Sequence, residues 1–276
     1  FHIIYKWTPP ERELPVPATM SDRLQLAAMI TVAAAFAVFF VLVIYRNFSS
    51  SKVDLGASIR IASAALAFTF IGLCLTTPLT DAAAPLFQRA VLALGFSVCI
   101  GFATWLVFAA FQPLVREFDS DLALPLTSIF KGNWRVLDVG NSLLFGAASG
   151  LVMAAIYSFW SAQDTNSYRL PISILNAQNS PLGNAMVMVA YGILSGTLIS
   201  GVYGLLGIVV RNAWIAAIAN IAIFTTIGAL LVDSSTIGIA SCLLLSATAT
   251  VASARFGMLA TIIASIIFLL VGSSIV

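Results

Sequence analysis

The chain has 276 residues, of which 60% are apolar and only 9% are charged. Its 13 basic and 11 acidic residues are too few to coat a water-facing surface of this size, because a soluble domain carries about 25% charged residues. The composition therefore excludes a soluble enzyme, a disordered tail and a nucleic-acid-binding domain, and the net charge of +2 favours no polyanionic partner. We expect an all-α, polytopic membrane protein whose main partner is the lipid bilayer.

The chain opens with a proline-rich segment and continues with apolar runs of membrane-spanning length. Residues 1–20 contain four prolines, which favours an extended, extracytoplasmic lead-in. The sequence begins with Phe1 rather than Met, and its first residues do not have the pattern of a signal peptide. We therefore expect Phe1 to be an internal residue of a longer product. Runs of about 20 apolar residues predict eight transmembrane helices. They cover approximately residues 24–45, 59–77, 87–111, 139–160, 185–210, 213–231, 237–254 and 256–271.

Polar residues predict where these helices end. Pro113 lacks the backbone N–H that would continue the third helix, so we expect that helix to stop before it. Only Arg211 and Asn212 separate the fifth and sixth runs, which predicts a tight antiparallel hairpin. Two longer polar segments remain: a loop at 112–138, and a loop at 161–184 in which a short apolar stretch is expected to lie flat at the interface.

The distribution of basic residues predicts the orientation in the membrane. The loops after helices one, three, five and seven carry eight Lys or Arg residues, and the opposite side carries five. The positive-inside rule assigns the side with eight to the cytoplasm. The loop at 112–138 would then be cytoplasmic, the loop at 161–184 would be external, and both ends of the chain would face outward.

The sequence predicts no catalytic, cofactor or metal site. Its single histidine, His2, lies near the start, and its three cysteines lie in different apolar runs. Glu117, Asp119 and Asp121 could bind a cation or act as an acid and base, but the adjacent Arg116 favours a solvated loop of mixed charge. The loop residues expected to make contacts are Arg116, Lys131, Trp134 and Arg135.

One amide lies well inside a predicted span. This is Asn220, with Thr225 and Thr226 nearby. Its expected role is a hydrogen bond to a neighbouring helix, since amides and hydroxyls tie helices together in lipid. The alternative is a polar cavity lined by these residues, as a transporter or channel for a neutral or lipid-like substrate would need. Ion coupling is disfavoured, because the charged residues lie only at the helix ends.

Small residues at helical spacing give the clearest packing signal. In the fifth predicted helix Gly192, Gly196, Ser200 and Gly204 follow one another every four residues, and Gly146 and Gly150 form a shorter pair in the fourth. Such faces let helix backbones approach closely, which drives association in lipid. The favoured interpretation is packing within the eight-helix bundle. The alternative is a docking groove for a helix of another membrane protein.

The polar residues, taken in order, resemble a known family. The matching residues are 7–12 (WTPPER), 21–24 (SDRL), 46–47 (RN), then Asp54, 56–57 (GA) and Arg60, and further on 112–116 (QPLVR), 132–135 (GNWR), 139–140 (VG) and 255–257 (RFG). Together they look like the multi-spanning C-terminal membrane module of certain bacterial serine/threonine protein-kinase-like proteins. The resemblance implies a place in a bacterial cytoplasmic (inner) membrane and a kinase domain elsewhere in the product. These residues carry no glycine-rich phosphate loop, His-Arg-Asp loop or Asp-Phe-Gly motif.

The chain departs from that family where the family is most polar. The family pattern has a glutamate where Gln112 stands, an aspartate–proline pair at 136–137 and an arginine–aspartate pair at 141–142. We expect a non-catalytic module that anchors, scaffolds or senses. It would be either the tail of a kinase-like protein or an accessory subunit of a larger membrane complex.

Overall fold

The computed structural model describes residues 41–47, 53–76, 86–130, 132–133, 135–163, 180–231 and 236–275. Every regular element within these ranges is an α-helix, and residues 41–47 are also helical. The helices are α1 (Leu55–Thr76), α2 (Leu86–Phe118), α3 (Ser120–Phe130), α4 (Leu137–Gln163), α5 (Pro181–Val210), α6 (Ala213–Leu231) and α7 (Thr236–Ile275). The expected all-α fold is confirmed. By its internal contacts the chain divides into residues 1–43 and 44–276, and the helices described below belong to the second unit.

Five of these helices are long and apolar enough to cross a bilayer, counting only the described residues. They are α1, α2, α4, α5 and α7, and the slightly shorter α6 is equally apolar in character. A helix rises 1.5 Å per residue, so about 20 residues cross the hydrocarbon core. The predicted lead-in at 1–20 and most of the predicted first span lie outside the described residues.

Helix α7 is a helical hairpin with its turn at Gly257. The backbone of Gly257 has φ 81° and ψ −171°, which no helix contains. Before this turn, Ala249 lines the same cleft as Met153, and Phe256 stacks on Phe145 at 4.0 Å between ring centroids. Residue numbers therefore rise in α4 as they fall in α7, so the two helices run antiparallel here. We call residues 236–255 the first arm of α7.

After the turn the direction reverses. A Cβ built on Gly146 would lie 2.6 Å from the carbonyl oxygen of Ala260, and one built on Gly150 would lie 2.7 Å from that of Ala264. Residue numbers now rise together in α4 and α7, so the two helices run parallel. We call residues 258–275 the second arm of α7. The two arms occupy the places of the predicted seventh and eighth helices, and each is long enough to cross the membrane separately.

The passes alternate in direction around α5. Helix α5 runs parallel to α2, since Gly201 faces Phe111 and Gly204 faces Val115. It runs antiparallel to the second arm of α7, since Gly192 faces Ile266 and Gly196 faces Ile262. Helix α1 is antiparallel to α5, and α6 is antiparallel to the first arm of α7. This up-and-down pattern is what a chain that crosses a membrane repeatedly requires.

Helix α2 does not stop at Pro113. The prediction that this helix ends near residue 111 is wrong: α2 continues unbroken to Phe118. Pro113 removes one backbone hydrogen bond, but the turns beyond it bury Leu114 and Val115 against the bundle, and this packing holds the helix together. The predicted loop at 112–138 is therefore largely helical, because α3 follows at Ser120–Phe130.

The other predicted boundaries differ less. Helix α5 starts at Pro181, four residues earlier than expected, because Ser180 caps it by accepting a hydrogen bond from the Gly183 N–H at 3.4 Å. The predicted interfacial stretch in the loop at 161–184 lies outside the described residues. The α5–α6 hairpin forms as predicted: Arg211 takes the left-handed conformation, and the Asn212 carboxamide caps α6 by accepting from the Trp214 N–H at 3.0 Å.

Candidate functional site

The small-residue face of α5 contacts helices on two sides. On one side, a Cβ at Gly196 would lie 2.5 Å from the Cα of Ile262, and a Cβ at Gly192 would lie 2.7 Å from the Cα of Ile266. On the other side, a Cβ at Gly204 would lie 2.9 Å from Val115 Cγ2. Real Cβ contacts are essentially never shorter than 3.0 Å. Glycine at these positions therefore lets α5 lie backbone to backbone against α2 and the second arm of α7.

This face is therefore filled by the chain's own helices. Ser200, between Gly196 and Gly204, is 1% exposed. Gly146 and Gly150 of α4 make the same kind of contact with the second arm of α7. The packing interpretation of the predicted groove agrees with this geometry, and a helix of another protein has no room at these six positions.

Sequence reasoning missed several of the close glycine contacts. Gly72 of α1 and Gly183 of α5 approach reciprocally, since a Cβ on either would lie 2.7 Å from the other's carbonyl oxygen. Gly201 and Gly207 of α5 lie against the rings of Phe111 and Phe118. The spacing of three residues from Gly201 through Gly204 to Gly207 was a signal that could have found them.

The predicted intramembrane polar residues do not form one site. Asn220 is fully buried and its Nδ2 donates to Thr250 Oγ1 at 3.0 Å, which confirms the expected interhelical bond. Thr226 is exposed and donates to the carbonyl oxygen of Ala222 at 2.8 Å within its own helix. Thr225, which directly follows Phe224 on α6, is half-buried.

Two clefts open between the helices in the described part of the chain. One of about 180 Å³ lies among α4, α5, α6 and the first arm of α7, and includes Phe224 and Cys242 in its wall. The other, of about 500 Å³, lies between Phe159 of α4 and the first arm of α7 near Ile237. Both have apolar walls, and neither is lined by Asn220, Thr225 or Thr226.

The charged residues near α3 are solvated, as expected. Glu117 lies 3.8 Å from Arg46, with side chains 40% and 61% exposed. The Asp119 carboxylate accepts a hydrogen bond from the Asp121 backbone N–H at 2.9 Å and so caps α3. Within the described ranges no group of three or more His, Cys, Asp or Glu residues is placed to hold a metal ion.

The structure describes two of the four predicted loop residues. Arg116 and Arg135 are exposed at the end of α2 and before α4. Lys131 and Trp134 lie outside the described residues.

The basic residues gather at one end of the bundle. Arg46 pairs with the end of α2, Arg211 follows the end of α5, and Arg255 precedes the Gly257 turn, where Leu122 of α3 meets Gly257. The described arginines at this end are Arg46, Arg60, Arg116, Arg135, Arg211 and Arg255.

The sides of the bundle are apolar where a soluble protein would be polar. The exposed fraction is 66% for Leu92, 68% for Leu144 and 65% for Ile218, and each of these residues lies within an apolar run. Contact between such apolar surfaces and lipid acyl chains carries no free-energy cost, whereas their exposure to water is unfavourable. The chain is an integral membrane protein.

Comparisons with protein families, curated proteins and solved structures found no match to this chain. The resemblance to kinase-associated membrane modules therefore stays a prediction.

Proposed function

We propose that this chain is a non-catalytic membrane module that acts as an anchor, scaffold or sensor. The observation that carries the proposal is the neutrality of the bundle interior. In the described ranges the buried side chains with polar atoms belong to Ser, Thr, Asn, Gln, Tyr, Trp or Cys, and no buried Asp, Glu, Lys, Arg or His is among them. A proton relay, an ion-coupled carrier or an intramembrane protease depends on ionisable groups at bilayer depth.

The packing supports the same proposal. Helix α5 is held on both sides by backbone-close contacts, so the centre of the bundle is filled by protein rather than by a polar channel. The surfaces that remain for interaction are the lipid-facing sides, the outer segments and the basic end. We place the basic end in the cytoplasm of a bacterium, by the positive-inside rule and the resemblance to kinase-like proteins.

Two forms of this function are consistent with the chain. It is the tail of a kinase-like membrane protein, or it is an accessory subunit that packs against other membrane-protein helices. The measurement that separates them is the intact mass of the protein extracted gently from its native membrane, with every stoichiometric companion identified.

A mass well above 29.2 kDa, with peptides that carry kinase signatures, supports the tail. A mass near 29.2 kDa with a constant membrane companion supports the subunit. A lone 29.2 kDa chain that releases a trapped neutral solute from liposomes, while the Gly196→Leu variant does not, would overturn the proposal in favour of transport.

A further inference from the structure

Pro113 is a weak point near the end of α2. It lacks the backbone N–H that would donate to the carbonyl oxygen of Ala109, and its ring crowds the same carbonyl. Sharp bends in helices occur characteristically at prolines, on the face where the ring opens the preceding turn. Helix α2 nevertheless continues to Phe118, so contacts with other parts of the chain hold the segment beyond Pro113 in line.

Two consecutive residues of the segment 41–47 bridge this weak point. Asn47 is 2% exposed, and its Nδ2 donates to the carbonyl oxygen of Ala110 at 2.7 Å. Arg46 pairs with Glu117, with 3.8 Å between its Nη2 and the carboxylate Oε1. Ala110 lies before Pro113 and Glu117 lies after it. We call Arg46 and Asn47 the latch.

The latch acts on the face of α2 that the proline weakens. Ala110, Pro113 and Glu117 follow at spacings of three and four residues, so they share one helix face. The contacts of α2 with the glycines of α5 are made from a neighbouring face, through Phe111 and Val115. Packing on α5 therefore leaves the opening of the proline face to the latch, which limits how far the turns of Ala110 and Glu117 can separate.

A bend at Pro113 would move α3. Asp119 alone lies between α2 and α3, and its N–H donates to the carbonyl oxygen of Val115 at 2.9 Å, so the two helices are closely joined. At its other contact α3 sits on the turn of α7, where the backbone of Leu122 lies against Gly257. The position of α3 at the basic end thus depends on the direction of the last turns of α2.

We propose that the latch closes a hinge at Pro113 and thereby controls whether α3 stays on the Gly257 turn. With the latch closed, the end of α2 is in line and Leu122 contacts Gly257. With the latch released, the end of α2 swings at Pro113 and carries α3 off the turn. The two contacts suit a reversible switch, because a neutral hydrogen bond and a solvent-exposed ion pair each add little net stability. Such a switch would serve the tail of a kinase-like protein and an accessory subunit alike.

Double electron–electron resonance on the full chain in nanodiscs tests the hinge. The chain has its three cysteines replaced by alanine, and nitroxides are attached through Leu92→Cys on α2 and Leu124→Cys on α3, which are 66% and 48% exposed. We expect one narrow distance distribution with the latch intact. In Asn47→Ala we expect a second population whose mean distance is shifted by several ångströms. An unchanged distribution in folded Asn47→Ala would overturn the proposal.

Two controls separate a hinge from general loosening. Pro113→Ala restores the N–H for the Ala109 carbonyl, so Asn47→Ala in that background should leave the distribution narrow. Asn220→Ala removes another buried amide that bonds to a neighbouring helix, Nδ2 to Thr250 Oγ1 at 3.0 Å, and should also leave it narrow. A second population in either control, as large as in Asn47→Ala alone, would overturn the proposal.

The ion pair offers a milder release of the latch should Asn47→Ala fail to fold. Glu117→Gln removes only the contact beyond Pro113, and both side chains of that pair are exposed. We expect a smaller second population at the same shifted distance, and none when Pro113→Ala is added. If Asn47→Ala does not fold, an unchanged distribution in Glu117→Gln would overturn the proposal.

Discussion

The close approach of α5 to the second arm of α7 predicts that a single methyl group at Gly196 destabilises the bundle. In Gly196→Ala, the added Cβ would lie 2.5 Å from Ile262 Cα and 2.8 Å from the carbonyl oxygen of Thr261. Both are backbone atoms, so no side-chain rotation relieves the contact. The two helices must move apart by about 1 Å to reach an ordinary contact, and every neighbouring contact along the interface loosens with them.

The magnitude can be worked from two opposing terms. Overpacking a well-packed interior costs about 1–3 kcal/mol, and the rigid partner places Gly196→Ala at the upper end. Alanine offsets this by up to about 1 kcal/mol, since it favours the helical conformation over glycine. We expect a net loss of roughly 2 kcal/mol in the free energy of unfolding.

The matched control is Gly95→Ala on α2. Gly95 is helical too, but a Cβ there meets nothing within 4 Å. This variant should gain up to about 1 kcal/mol from helix propensity alone. Equilibrium unfolding in mixed micelles, or steric trapping in bicelles, measures both variants. The reasoning is refuted if Gly196→Ala is as stable as Gly95→Ala.

Three further predictions concern the turn at Gly257, the buried amide of Asn220 and the exposed ion pair of Glu117. Gly257→Ala, at φ +81° and against a backbone carbonyl, should lower the thermal midpoint by more than Gly132→Ala, which has the same φ but open space; equal shifts would contradict this. A double-mutant cycle of Asn220→Ala with Thr250→Val should give a coupling of about 0.6 kcal/mol, and additivity would show that their bond contributes nothing. Glu117→Gln should change stability by less than about 1 kcal/mol, because the pair it breaks is solvent-exposed; a larger loss would mean a stronger network.

Apolar run length predicts the fold well because a bilayer permits few solutions. Spanning segments must satisfy their backbone internally, so an apolar run of about 20 residues is a helix. The α5–α6 hairpin follows for the same reason, since two consecutive membrane-spanning helices must cross in opposite directions. The turn at Gly257 was also readable, because Arg255 interrupts an apolar stretch too long for one crossing.

The effect of Pro113 could not be predicted from local chemistry. A proline lacks a donor, but whether the helix stops depends on what the following turns bury. Here Val115 and Phe118 pack against glycines of α5, which lie almost 90 residues away in the sequence. Tertiary contacts of this kind outweigh the local signal.

The small-residue face was predictable, but its occupants were not. Spacing alone shows that Gly192 and Gly196 face one direction, and it is silent on which helix they meet. The same holds for Gln112: the sequence places it near a helix end, where an amide normally reaches water. The structure buries it because α2 continues beyond it.

The most direct test of the membrane-spanning bundle is the accessibility of single cysteines from each side of the membrane. In a chain with its three cysteines replaced by alanine, Asn212→Cys, Asp138→Cys and Thr236→Cys report on the two ends of the helices. We predict that an impermeant maleimide labels position 236 in intact cells, and labels positions 212 and 138 only after the membrane is opened. Labelling of all three positions from the same side would contradict the alternating passes.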